Sequence, residues 1–107
     1  MILRSLPLAL AVLALGACGD GSAGGGERAA AISAAKAAYE QAVAAGVDLS
    51  AGPCIGNPVI PGWVADVAHD PRQPVDDDLA NQCSTYRSGE AKHFIELDPA
   101  GNLIRAQ

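Results

Sequence analysis

Large apolar side chains are scarce in this chain, and that scarcity limits what it can fold into. Half of its 107 residues are hydrophobic, yet ten alanines fall between Arg28 and Ala45 alone. The aromatic residues are Trp63, Tyr39, Tyr86 and Phe94. Alanine removes little apolar surface from water, so the composition overstates the core that can form. A chain this short makes one small domain, and such domains need a staple or unusually close packing to hold together. Whatever packs on the alanine-rich segment must therefore approach its backbone closely.

That segment, Glu27 to Ala45, is the clearest helix. Alanine has the highest helix propensity. Ile32, Ala35, Tyr39, Ala42 and Val43 lie on one stripe at three-and-four spacing. Glu27 stands at the start, where the helix dipole favours negative charge. Gly46 is placed as a C-terminal cap, with Val47 folding back. Asp48 to Gly62 carries three prolines and three glycines and reads as loop. Trp63 to His69 admits two readings. As a strand it sets Trp63, Ala65, Val67 and His69 against Val64, Asp66 and Ala68; as a short helix after Pro61 it gathers Asp66, His69 and Asp70. The tryptophan and valines favour the strand. Leu79 to Arg87 reads as a short helix with Asp78 as N-cap and Gly89 as stop. Ala91 to Leu97 alternates, with His93 and Ile95 on one face and Phe94 and Glu96 on the other. Asp98-Pro99-Ala100-Gly101 then fits a turn, and Leu103 to Ala106 returns as its partner strand. The expected architecture is α+β: one N-terminal alanine-rich helix on a small antiparallel sheet of about three strands, with a long bridged loop.

The formal charge is −5, with seven basic and twelve acidic residues. Nucleic acid and anionic lipid surfaces are recognised by clustered lysine and arginine, so this balance argues against nucleic acid as a partner. No GxSxG, no phosphate-cradling glycine loop and no basic aromatic stripe is present, and nothing points to a cofactor.

The N-terminus has the parts of an export signal. Arg4 supplies a positive charge, Leu6 to Leu15 an apolar run of ten residues, and small residues follow. Such a run is too short to span a bilayer, which takes about 20 residues. The four residues Leu15-Gly16-Ala17-Cys18 resemble the lipobox of bacterial lipoproteins. The resemblance implies lipidation of Cys18, cleavage before it, and anchoring through several acyl chains. It implies residues 1–17 as signal peptide, 18–26 as a flexible glycine-rich tether, and 27–107 as the single globular domain. It also places the domain on the extracytoplasmic side of a membrane in the cell envelope. With Cys18 lipidated, Cys54 and Cys83 remain, and two cysteines in an exported domain are expected to pair.

Two kinds of function fit this reading. In the first, the domain is a non-catalytic module that binds an envelope protein or surface ligand, with Trp63 and Tyr86 as contact residues. In the second, His69 and His93 with Asp66 and Asp70 build a metal site. The run Asp76-Asp77-Asp78 has the oxygens a hard cation takes, but not the EF-hand spacing, and reads as a solvated loop that caps a helix.

Overall fold

A computed structural model describes residues 23–107. The proposed signal peptide and Cys18 lie outside the described residues. The elements run α1 (Ala23–Ala44), β1 (Cys54–Ile60), β2 (Trp63–Val67), α2 (Ser84–Arg87), β3 (His93–Leu97) and β4 (Leu103–Ala106), with 3-10 turns at Leu49–Ala51, Pro74–Asp77 and Leu79–Asn81. The class is α+β, as expected. Among the described residues, no helix is long and apolar enough to cross a membrane.

Helix α1 starts at Ala23, four residues before Glu27, so residues 23–26 are helical where a flexible tether was expected. Adding a turn to an existing helix costs far less than starting one, even through glycine. Two bonds hold this end in place. The Trp63 indole N–H donates to Glu27 Oε1 at 2.9 Å, and Arg28 Nε donates to the Ala106 carbonyl at 3.2 Å. At the other end the Gly46 amide donates to Val43 and the Val47 amide to Ala42, the paired bonds of a Schellman cap. Gly46 takes the positive φ of 74° that this cap requires.

The buried side of α1 is Ala31, Ala35 and Ala42, flanked by Ile32 and Tyr39. Val43, expected on the stripe, is 48 % exposed. With only methyl groups at the centre, the helix lies close on the sheet and meets Trp63, Ala65, Ile95, Leu97 and Ala106. Tyr39 reaches past the sheet to the turn after β3, where its hydroxyl donates to the Pro99 carbonyl at 2.9 Å. A Cβ on Gly101 would come within 2.7 Å of the Tyr39 ring, so only glycine fits that turn.

The sheet corrects the expected topology twice. It has four strands, in the order β1-β2-β3-β4, because Cys54–Ile60 is a strand rather than loop. Its pairing with β2 is antiparallel but irregular, with register shifts on both sides of Gly56. That irregularity is how a segment with Pro58 and two glycine-bearing turns around it still forms an edge strand. The second correction is that β2 and β3 are parallel, from Trp63↔His93 to Val67↔Leu97, so the sheet is mixed. Parallel neighbours need a crossover, and residues 68–92 supply it across the face that α1 leaves free. A disulfide between Cys54 and Cys83, with Cα atoms 5.1 Å apart, pins this crossover to β1. The Asn57 side chain adds a second tie: its carbonyl accepts from the Thr85 amide at 3.1 Å, and its amide donates to Ser84 Oγ at 2.8 Å. Asn57 thus caps α2 from a different strand. Asp78 caps the preceding 3-10 turn through the Ala80 amide instead.

Candidate functional site

The strand alternation divides the sheet into two faces. Trp63, Ala65, Val67, Ile95 and Leu97 face α1 or the core beneath it. Val64, Asp66, Phe94 and Glu96 face the crossover, which covers them only in part. Val64, Cys83 and Ala91 form a small second core there, with Cys54 and Phe94 against it. Beside that core lies a pocket of about 350 Å³, within the size range of small-ligand sites.

Sheet register builds its floor. Val64 pairs with Phe94, and in the next row on this face Asp66 pairs with Glu96, which pairs in turn with Arg105 of β4. Three charged side chains thus stand in a row across three strands. The crossover supplies the wall: Arg72, Gln82 and Tyr86. Tyr86 is 44 % exposed and meets the Phe94 ring edge-on, with centroids 5.4 Å apart.

The charges are unevenly satisfied. Glu96 is buried and flanked by both guanidiniums, with Arg72 Nη1 at 3.4 Å from Oε1 and Arg105 Nε at 3.5 Å from Oε2. Arg72 is also committed elsewhere. Its Nε donates to Asp77 Oδ1 at 2.9 Å and its Nη2 to the Asp76 carbonyl at 3.2 Å. Asp66 has no such arrangement. Its Oδ1 is buried without a hydrogen-bond partner among the described residues. Burial, followed by the nearby charge of Glu96, pushes the Asp66 carboxyl up to about 7, against a smaller opposing pull from Arg72. Asp66 therefore changes charge near neutral pH, far above the usual carboxylate range.

The expected metal ligands are scattered. Asp66 lines the pocket. His93 is exposed, at the start of β3, stacked on Trp63 with ring centroids 4.5 Å apart. His69 lies beyond the far end of β2, where its Nδ1 stands 2.9 Å from Asp76 Oδ1. The two histidines thus stand off opposite ends of β2, whose four steps from Trp63 to Val67 span about 13 Å at the usual rise. Asp70 is exposed in the crossover. Among the described residues, no group of three histidine, cysteine or acidic side chains is placed to hold a metal ion.

The aspartate run is likewise divided by the fold. Asp76 is 3 % exposed and organises the crossover: its Oδ2 accepts the amides of His69 and Gln73, each at 2.9 Å. Burial alone would raise its carboxyl, but these two amides and the His69 side chain outweigh it and leave Asp76 below the usual range. Asp77 pairs with Arg72, and Asp78 caps a turn. Of the expected contact residues, Trp63 is 4 % exposed and belongs to the core, because its indole is the largest side chain available to fill the space under α1. Tyr86 stands at the pocket.

Nothing in the sequence marks Arg72 or Arg105 as site residues. The alternation did set Asp66 opposite Trp63 and Glu96 opposite Ile95 on their own strands. The missing information was that the two strands are parallel neighbours in register, which no local pattern encodes. No protein-family model, curated protein or solved structure matches this chain.

Proposed function

We propose that this protein is a lipid-anchored module of the cell envelope that binds a small ligand without transforming it, and that the pocket over β2, β3 and β4 is its binding site. One observation carries the site: Asp66 is a largely enclosed carboxyl whose Oδ1 lacks a partner, in a cleft that also offers aromatic surface and arginines. Buried polar groups are ordinarily paired, and an exception in a concave site marks a place where another molecule can supply the bond. The module reading rests on size and construction. In a domain this small, the acidic groups Glu96 and Asp76 are held in ion pairs and backbone bonds. The anchor reading rests on the lipobox resemblance at Cys18, five residues before the first turn of α1.

Two measurements test the two halves. Intact mass of membrane-extracted protein should show acyl mass on a chain beginning at Cys18, and a chain retaining Met1 would reject the anchor. For the site, a fragment library screened by ligand-observed NMR against the full chain should give binders that are lost in Phe94→Ala and Tyr86→Ala. A library whose binding ignores both substitutions would reject the pocket.

A further inference from the structure

We infer that the pocket is built for a small organic ammonium ion with an apolar body, held by the Asp66 carboxylate and packed over Val64, Phe94 and Tyr86. This rests on the reading of the pocket as a binding site and adds the chemistry of what enters it.

The sign of the missing charge follows from the pocket's own groups. The acids facing the pocket or tied to its arginines are Asp66, Glu96 and Asp77; the bases are Arg72 and Arg105. Both arginines are engaged by Glu96, and Arg72 by Asp77 as well, so an entering anion would have to displace an existing ion pair. No cation lies within ion-pair distance of Asp66 among the described residues. Asp76 also faces Asp66, but its carboxylate is satisfied by the amides of His69 and Gln73 and by the His69 side chain, so the acid left without a counter-charge is Asp66, the one with an orphaned oxygen. A cation is the complement.

Shape selects the kind of cation. Val64 and Phe94 form the apolar row beside Asp66, and Tyr86 closes it at the mouth. An aromatic pair beside a carboxylate suits an ammonium group through both charge and ring-face attraction, while the hydrocarbon body gains from apolar contact. A bare metal ion would find only one unengaged carboxylate, since Glu96 is held between its two arginines.

The charged and titratable groups that face Asp66 are Glu96 from β3, Arg105 from β4, Arg72 and Asp76 from the crossover, and Tyr86 from α2. Since Asp66 sits near 7, the cation-binding form fills as pH rises through neutrality.

The test uses full-length protein and two probes, phenethylamine and its neutral counterpart 2-phenylethanol, followed by saturation-transfer NMR. Phenethylamine should bind the wild type and outcompete 2-phenylethanol. Its affinity should fall about tenfold or more in Asp66→Asn, and by a similar factor between about pH 8.5 and about pH 5.5, where about one Asp66 in 30 is ionised. Urea unfolding of Asp66→Asn at about pH 8.5, where the variant should be at least as stable as the wild type, separates lost binding from a lost fold. Equal binding of the two probes, unaffected by Asp66→Asn, would overturn the ammonium inference and leave the pocket standing as a site. Binding of phenethylamine that persists unchanged in Asp66→Asn, Phe94→Ala and Tyr86→Ala would overturn both. Absence of phenethylamine binding, with other fragments still lost in Phe94→Ala, would overturn the inference alone.

Discussion

Two aspartates on the crossover side of the sheet, both raised by burial, end up shifted in opposite directions. Asp66 is buried without compensation, and its carboxyl rises to about 7. The folded state then holds a proton that the unfolded state has released, so this residue's contribution to stability falls as pH rises from about 4 to about 7. The full effect is on the order of 4 kcal/mol, an upper bound because the residue is still partly open to solvent. Asp66→Asn should therefore stabilise the domain at about pH 8.5 and change little at about pH 4, as followed by urea unfolding with the disulfide intact. A variant equally stable at both extremes, relative to wild type, would contradict the assigned environment. Asp76 is the reverse case. Its folded carboxyl lies below its unfolded value, so its contribution is present above about pH 4 and is lost on further acidification. Replacing Asp76 with alanine strands the partly buried amides of His69 and Gln73 and should cost about 2–3 kcal/mol at neutral pH, with the deficit shrinking in acid. Both residues stand in an acidic chain where composition marks all aspartates alike. Their difference comes from one amide pair and one absent partner, which only the fold supplies.

At the scale of elements, α1 and the crossover are held by different means. Helix α1 depends on close approach. Ala31 and Ala35 have no exposed surface, and their methyl groups are the spacers at the centre of the contact between helix and sheet. Ala35→Leu should destabilise the domain by about 1–3 kcal/mol by forcing the layers apart. Ala30→Leu, on the exposed side, should fall within about 0.5 kcal/mol of wild type in the same melting experiment. The crossover lacks such a face and depends on the bridge. The Cys54–Cys83 disulfide closes a sequence separation of 29 residues, worth about 3–4 kcal/mol in the chain-entropy model. The double variant Cys54→Ser, Cys83→Ser should lose stability of that order. It should also loosen the pocket wall before the sheet, seen as early amide exchange at residues 72–87 against protected β2 and β3. The helix, the strands β3 and β4 and their hairpin were legible in the sequence from their periods of 3.6 and 2, and β2 as the favoured of two readings. Strand β1 was not. Gly56 and Pro58 mask any period, and its pairing is secured by bulges, the disulfide and Asn57, which act through other parts of the fold.

For the whole molecule, the sheet divides the labour. One face is covered by the helix and makes the core; the other is half covered and leaves a cleft. If Cys18 is the anchor, as proposed, Cys18→Ser should move the protein from the membrane fraction to the soluble one on fractionation of expressing cells, with the melting temperature of the domain unchanged. The sequence by itself determined the class of fold, the cysteine pair, and the residues on each strand face. These follow from periodicity, composition and a count of thiols, all of which are local or additive. Tertiary structure alone decided that β2 and β3 run parallel and in register. That single fact sets Asp66 beside Glu96, while β4 brings Arg105 and the crossover brings Arg72 to Glu96 and leave Asp66 unpaired. It also sends His69 and His93 to opposite ends of the sheet. The alanine-rich helix raises the same contrast. Scarcity of large side chains foretold close packing, but only the assembled layers show that the spare aromatic surface, Phe94 and Tyr86, lies on the other side, lining the cleft.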